Sequence, residues 1–240
     1  MNIQLQILPL LSVLVLFLVA PVAIILAVSF WDYTEFSLIP DFVLTNYMEI
    51  FESGVTYSTY LNTFKFAFLG WLFTVTIGFT LAYFLAFHVR TLRWQIILFL
   101  ICTIPFWTSN IIRMIAWIPV LGRNGLMNSL LLELGVISEP LEWLLYSDFA
   151  VILAFVHLYT LFMLVPIFNS MMRIDKSIIE AAQDMGANSL QILINVIIPL
   201  CLPGIAIGTI FVVSLIMGDF ITVQAMSGGQ SASVGLAMNN

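Results

Sequence analysis

The stretch from Ile174 to Gly204 reads IDKSIIEAAQDMGANSLQILINVIIPLCLPG. Its first half is polar and lies between two long apolar runs, 148–169 and 198–219. Ser177 stands three residues before Glu180, the spacing of a capping box that opens a helix. That helix runs through IIEAAQDM to Gly186, a good terminator because glycine tolerates positive φ. Asn188 and Gln191 repeat the box for a second short helix, and Pro199 and Pro203-Gly204 mark the bend into the next apolar run. Ala181 and Ala182 give the first helix a low-relief face, and Ile178, Ile179 and Met185 surround that face with apolar side chains. A plain connector between spans would prefer charge there, so the pattern reads as a helical hairpin that holds a partner.

The surroundings define the solvent. The chain has 240 residues, 62% of them hydrophobic and only 8% charged, with mean hydropathy +1.10. Soluble domains carry about 25% charged residues, and a soluble fold of this length could not hide so much apolar surface. Five runs, approximately 8–30, 62–87, 94–119, 148–169 and 198–219, reach the ~20 residues that a helix needs to cross a bilayer. Stretches such as VILAFVHLYTLFMLVPIF (151–168) do not alternate in polarity as a β-barrel strand would, and helices satisfy their own backbone in lipid. The expected fold class is therefore all-α, a polytopic transmembrane helical bundle forming one domain over 1–240. The first run is longer than a signal-peptide core and has no basic segment before it, so it reads as a retained span. Cys102 and Cys201 lie in or beside apolar runs and read as inert buried thiols. The absence of a basic stripe argues against a nucleic-acid partner.

Net charge is −6, with acid gathered in two loops: Asp32, Glu35, Asp41, Glu49 and Glu52, then Glu133, Glu139, Glu142 and Asp148. Arg90, Arg93, Arg173 and Lys176 fall on one side of the membrane, and Lys65, Arg113 and Arg123 on the other. The positive-inside bias is small, but it makes the 88–93 loop and the 170–197 element cytoplasmic. Residues 222–240 read as an extramembrane loop on the outer side, which leads us to expect a sixth span beyond the sequence.

Glu180-Ala181-Ala182, three intervening residues, Gly186, and then Val196-x-Ile198-Pro199 together resemble the EAA signature of ABC importer permease subunits, E-A-A-x3-G-x9-I-x-L-P. Val196 and Ile198 are conservative departures. The segments IPFWTSNIIR (104–113) and LGRNGLMN (121–128) are similar to the PotB-type permeases of spermidine/putrescine importers. The resemblance implies a type I importer permease of the inner membrane, moving a small solute, a polyamine by that likeness, through alternating access. It implies that 170–197 is the coupling loop, with Glu180, Ala181, Ala182, Asp184, Gly186 and Ala187 meeting an ATPase. It also implies a second, PotC-like permease subunit, two cytoplasmic ATPase subunits that carry ATP and Mg, a periplasmic solute-binding protein, and surrounding lipid. No cofactor or metal is expected on this chain, which has no P-loop lysine pattern and no H-E-x-x-H or G-x-S-x-G.

For cargo, aromatic faces attract ammonium groups and a desolvated carboxylate pairs with them. Phe106, Trp107, Tyr159 and Asp219 are the candidates, each weighed against ordinary helix packing or, for Asp219, a solvated helix end. Thr108, Ser109 and Asn110 beside Pro105 suggest a water-lined cavity. His157 reads as a neutral side chain bonded to a neighbouring helix, or else a proton relay. Arg113 is expected to reach out to headgroups or to pair with an outer-loop acid, and it sits awkwardly with cationic cargo. A channel needing no ATPase, or an anchoring subunit of a membrane enzyme, is the reading from another class.

Overall fold

A computed structural model describes residues 3–34, 37–229 and 233. The chain divides into two units, 1–58 and 59–240.

In the first unit, α1 (Ile3–Leu14) passes through a π turn (Val15–Val19) into α2 (Ala20–Val28). Leu11–Val28 is apolar throughout and long enough to cross a bilayer. The segment that follows was read as an acidic loop, but it holds structure. Strands β1 (Asp32–Thr34) and β2 (Ser37–Ile39) pair antiparallel, with Asp32 opposite Ile39. Next comes α3 (Thr45–Glu52). The Ser29 and Tyr47 hydroxyls share a 2.7 Å hydrogen bond, Asn46 Nδ2 donates to the Trp31 carbonyl at 2.8 Å, and Phe30 stacks on Phe42.

The second unit is built around one central span. Helix α4 (Gly54–Tyr83) enters it and ends in a π turn, Phe84–His88. Helix α5 (Leu92–Thr103) leads into a 3-10 turn, Ile104–Trp107, and then come α6 (Asn110–Ile115), α7 (Ile118–Leu121) and α8 (Leu126–Glu133). Helix α9 (Asp148–Met171) is the centre, flanked in sequence by α10 (Lys176–Asp184) and α11 (Ser189–Ile192). A third π turn, Leu193–Ile197, opens α12 (Ile198–Gly218), and α13 (Phe220–Ser227) follows.

Among the described residues, four helical stretches are long and apolar enough to cross a membrane: Leu11–Val28, Gly54–His88, Asp148–Met171 and Ser189–Gly218. A fifth results if Leu92–Trp107 and Asn110–Glu133, bent by 90° to each other, form one broken span. The apolar run over 94–119 predicts one spanning helix. Pro105 lacks an N–H, and Thr108 and Ser109 take extended backbone angles, so the ladder stops there. Residues 222–227, expected in a loop, are helical, and Val223 and Met226 are buried.

Close approach explains why α9 is central. A Cβ on Gly204 of α12 would lie 2.4 Å from the Pro166 carbonyl oxygen, and one on Gly208 would lie 3.2 Å from Met163 Cα. On α4, a Cβ on Gly78 would meet Met163 and the Leu164 nitrogen at 3.1–3.2 Å. Apolar burial drives little association in lipid, so helices bind where small residues let backbones meet. Trp71 Nε1 adds a 2.9 Å bond to Thr209 Oγ1, linking α4 to α12. Phe155, Leu158, Met163, Leu164 and Ile167 of α9 are fully enclosed as a result.

Candidate functional site

Helix α10 is set by its ends. Asp175, rather than Ser177, is the N-cap, and its carboxylate accepts from Ser177 N at 3.0 Å. The expected box at Ser177–Glu180 is therefore not made, because the chain enters the helix two residues earlier. The same backbone hydrogen bond holds the Asp175 carboxyl below the usual carboxylate range. At the other end Gly186 has φ +84°. Its N–H bonds to the Gln183 carbonyl and that of Ala187 to Ala182, a Schellman closure that needs the left-handed glycine. The second box is present as expected: Asn188 Oδ1 accepts from Gln191 N, and Gln191 Oε1 from Asn188 N, both at 2.9 Å.

Two faces of α10 separate. Ile178, Ala181 and Met185 recur at helical spacing along one exposed stripe, with Met185 83% exposed. The low-relief alanine pair is split. Ala182 is buried against its own chain and Ile179 packs on the core, so only Ala181 belongs to the exposed stripe. Glu180 turns toward a cavity that it lines with Lys176 and Gln183. Asp184 is exposed and Ala187 half-buried.

The four cargo candidates fall into two pairs. Phe106 and Trp107 line an open groove of about 690 Å³ with Phe162, Phe211, Asn169 and Arg173. Trp107 is 85% exposed. Tyr159 is buried, and its hydroxyl donates to Asp219 Oδ2 at 2.6 Å. Asp219 also accepts from Thr222 N at 2.9 Å and from Thr222 Oγ1 at 2.6 Å, capping α13. It is half-buried, a joint between α12 and α13 held to α9 by Tyr159. Phe162 connects the pairs, 5.3 Å from the Phe106 ring and 6.2 Å from the Tyr159 ring. Phe162 and Asn169 are not singled out by the sequence, and Arg173 is read there only as a flanking charge. Their signal was a stripe at three- and four-residue spacing with Pro166 and Ser170, which also line the groove.

Arg113 neither reaches headgroups nor pairs with an outer acid. It is buried, its Nη2 donates to Asn110 Oδ1, and its Nε has no acceptor among the described residues. The α6 break swings it inward to a cavity of about 330 Å³ shared with His157 and Thr160. His157 Nδ1 accepts from Trp117 Nε1 at 3.0 Å. An indole can only donate, so that nitrogen carries a lone pair and the imidazole is neutral. Among the described residues no three of His, Cys, Asp and Glu gather as metal ligands.

Comparison with known proteins fits this geometry. Residues 78–238 match the family described as binding-protein-dependent transport system inner membrane component. The chain belongs to that family. It is similar to the spermidine/putrescine transport system permease protein PotB of Escherichia coli K12, 34% identical over 92% of this chain and 80% of that protein. The corresponding Haemophilus influenzae permease is 30% identical over 93% of this chain and 77% of that protein. The fold is that of a chain in the crystal structure of a bacterial alginate ABC transporter bound to its periplasmic protein. That match has TM-score 0.75 and 19% identity, covering 98% of this chain and 81% of that one. This permease is therefore a multi-pass inner-membrane transport component rather than an enzyme, and it works with an ATPase and a solute-binding protein.

Proposed function

We propose that this permease is one half of the translocation path of an ATP-driven importer whose cargo is a polyamine of the spermidine/putrescine kind. The single observation that carries the cargo is identity of 30–34% along almost the whole chain to permeases named for those solutes. The other half of the path is a PotC-like subunit. Two ATPases lie on the cytoplasmic side, where α10 and α11 lie by the basic-residue bias. The exposed Ile178–Ala181–Met185 stripe supports α10 as the docking surface, since an unpaired apolar stripe in water calls for a partner.

The path offers a polyamine two chemistries. The aromatic walls Phe106, Trp107 and Phe162 present ring faces to a passing ammonium. The Asp219 carboxylate, positioned by Tyr159 and Thr222, is a counter-ion within the membrane. ATP energy enters because the inward- and outward-facing forms bind the closed and open ATPase dimer unequally.

The test is Gly186→Pro with uptake in proteoliposomes. Proline fixes φ near −65° and removes the N–H that bonds Gln183, so the turn at φ +84° cannot form. The ATPase should no longer co-purify, and putrescine uptake should stop while the permease still inserts. Uptake that survives the substitution points to a channel. Uptake that putrescine and spermidine fail to compete retires the polyamine cargo.

A further inference from the structure

The break after Trp107 turns Arg113 into a cavity of about 330 Å³ whose walls also carry Cys102, Trp117, His157 and Thr160. Arg113 is only 6% exposed, and its Nε–H finds no acceptor among the described residues. Among those residues no carboxylate lines the cavity and none pairs with Arg113. Asp219 stays with Tyr159 and Thr222. His157 brings a second donor. Its Nδ1 accepts from Trp117, so its hydrogen sits on Nε2, which meets no described acceptor. The Thr160 hydroxyl is committed to the Val156 carbonyl.

A buried positive charge with two N–H groups to spare repels an ammonium or a metal cation and calls for an anion. One guanidinium balances one negative charge, and a divalent anion would leave an excess inside a span. Depth decides the source. His157 lies about 14 Å along α9 from its Asp148 end, close to the middle of the helix. Lipid phosphates lie at the ends of a span, which leaves a small anion from solution.

We propose that this cavity binds one small monovalent anion of the halide class, with the Arg113 Nε–H and the His157 Nε2–H as its donors. Phe106 and Leu161 line both the cavity and the adjoining groove, so the anion enters from the path and sits beside it. There it offsets the charge that Arg113 presents to cationic cargo, a consequence that rests on the polyamine reading above.

The permease pair with its ATPases is placed in lipid discs in sodium gluconate, a bulky anion, and chloride then replaces gluconate at constant ionic strength. The thermal midpoint of this permease should rise by a few degrees in wild type and saturate, as for a ligand that only the folded protein binds. Arg113→Met should show no rise, and His157→Phe should need about tenfold more chloride for half of it. Arg123 is exposed and paired with Glu142, so Arg123→Gln should respond like wild type. In gluconate alone Arg113→Met should be the more stable protein, and chloride should narrow that gap. Cys102 reports the place. Its modification by methyl methanethiosulfonate, read by mass spectrometry, should be slowed several-fold by chloride in wild type and not in Arg113→Met. A midpoint indifferent to chloride, an equal rise in wild type and Arg113→Met, or Cys102 modification that chloride does not slow overturns the site. So does a lower midpoint for Arg113→Met in gluconate, which would give Arg113 an acidic partner on the second permease subunit. Putrescine uptake in vesicles reads the cargo separately. A chloride shift without putrescine uptake keeps the anion site and removes the polyamine, whereas uptake without a chloride shift does the reverse.

Discussion

Arg113 is incompletely paired: a guanidinium has five donors, and among the described residues Nη2 meets Asn110 while buried Nε finds no acceptor. Replacing a buried ion pair by apolar side chains of similar size is often neutral or stabilising by about 1–4 kcal/mol, and a buried charge without an acidic partner gives up no pair attraction when it is replaced. Arg113→Met should therefore raise the thermal midpoint of the solubilised permease by a few degrees, with part of the gain lost because Asn110 Oδ1 is left without its donor. A lower midpoint would mean that Arg113 is compensated in the membrane. Asp175 behaves oppositely because it is exposed and its charge is used. Its folded carboxyl is held below the ordinary value, so the cap contributes stability above that value and loses it as pH falls through the depressed one. Amide protection at Ser177–Ile179, taken relative to the intrinsic exchange rate at each pH, should fall toward the acid end of that window. In Asp175→Ala protection should be low at neutral pH as well.

At the scale of elements, packing between α9 and α12 depends on absent side chains. Gly204→Val would set a branched Cβ against the Pro166 carbonyl oxygen, 2.4 Å from the ideal position, and against the Ser170 side chain. The helices must separate, at about 1–3 kcal/mol or more for overpacking. The expected outcome is a lowered thermal midpoint and loss of the Trp71–Thr209 bond, read as a changed tryptophan emission. An unchanged midpoint would mean that α9 and α12 are less tightly joined than the geometry requires. Helix α10 shows how one short element serves two surfaces. Its spacing sends Ile178, Ala181 and Met185 outward while Glu180 and Gln183 face the chain's own cavity. Glu180 lines that cavity and is also exposed, so the same side chain remains open to solvent beside the stripe.

At the scale of the whole molecule the spans carry no engine. Flux of putrescine through vesicles holding the full assembly should require internal ATP and the solute-binding protein, and should fall to background without either. Leakage down a gradient without nucleotide would favour the channel reading. Which chain supplies the second half of the path sets what Trp107 meets, because that side chain is almost fully exposed at the groove.

What was legible in advance follows from local physics. Apolar runs of membrane length, the glycine stop at Gly186 and the Asn188–Gln191 box are decided by residues within one or two turns, so order along the chain is enough to read them. The cap at Ser177 was misplaced because two eligible caps stand two residues apart, and which one stays outside the helix depends on where the chain leaves α9. The 90° break after Trp107, the inward turn of Arg113, and the union of Tyr159 with Asp219 across sixty positions needed the folded chain. A hydrogen bond between distant spans is set by how closely their backbones approach. That approach is set where Gly204 and Gly208 of α12 meet Pro166 and Met163 of α9, and which face those glycines meet is decided only in the folded chain.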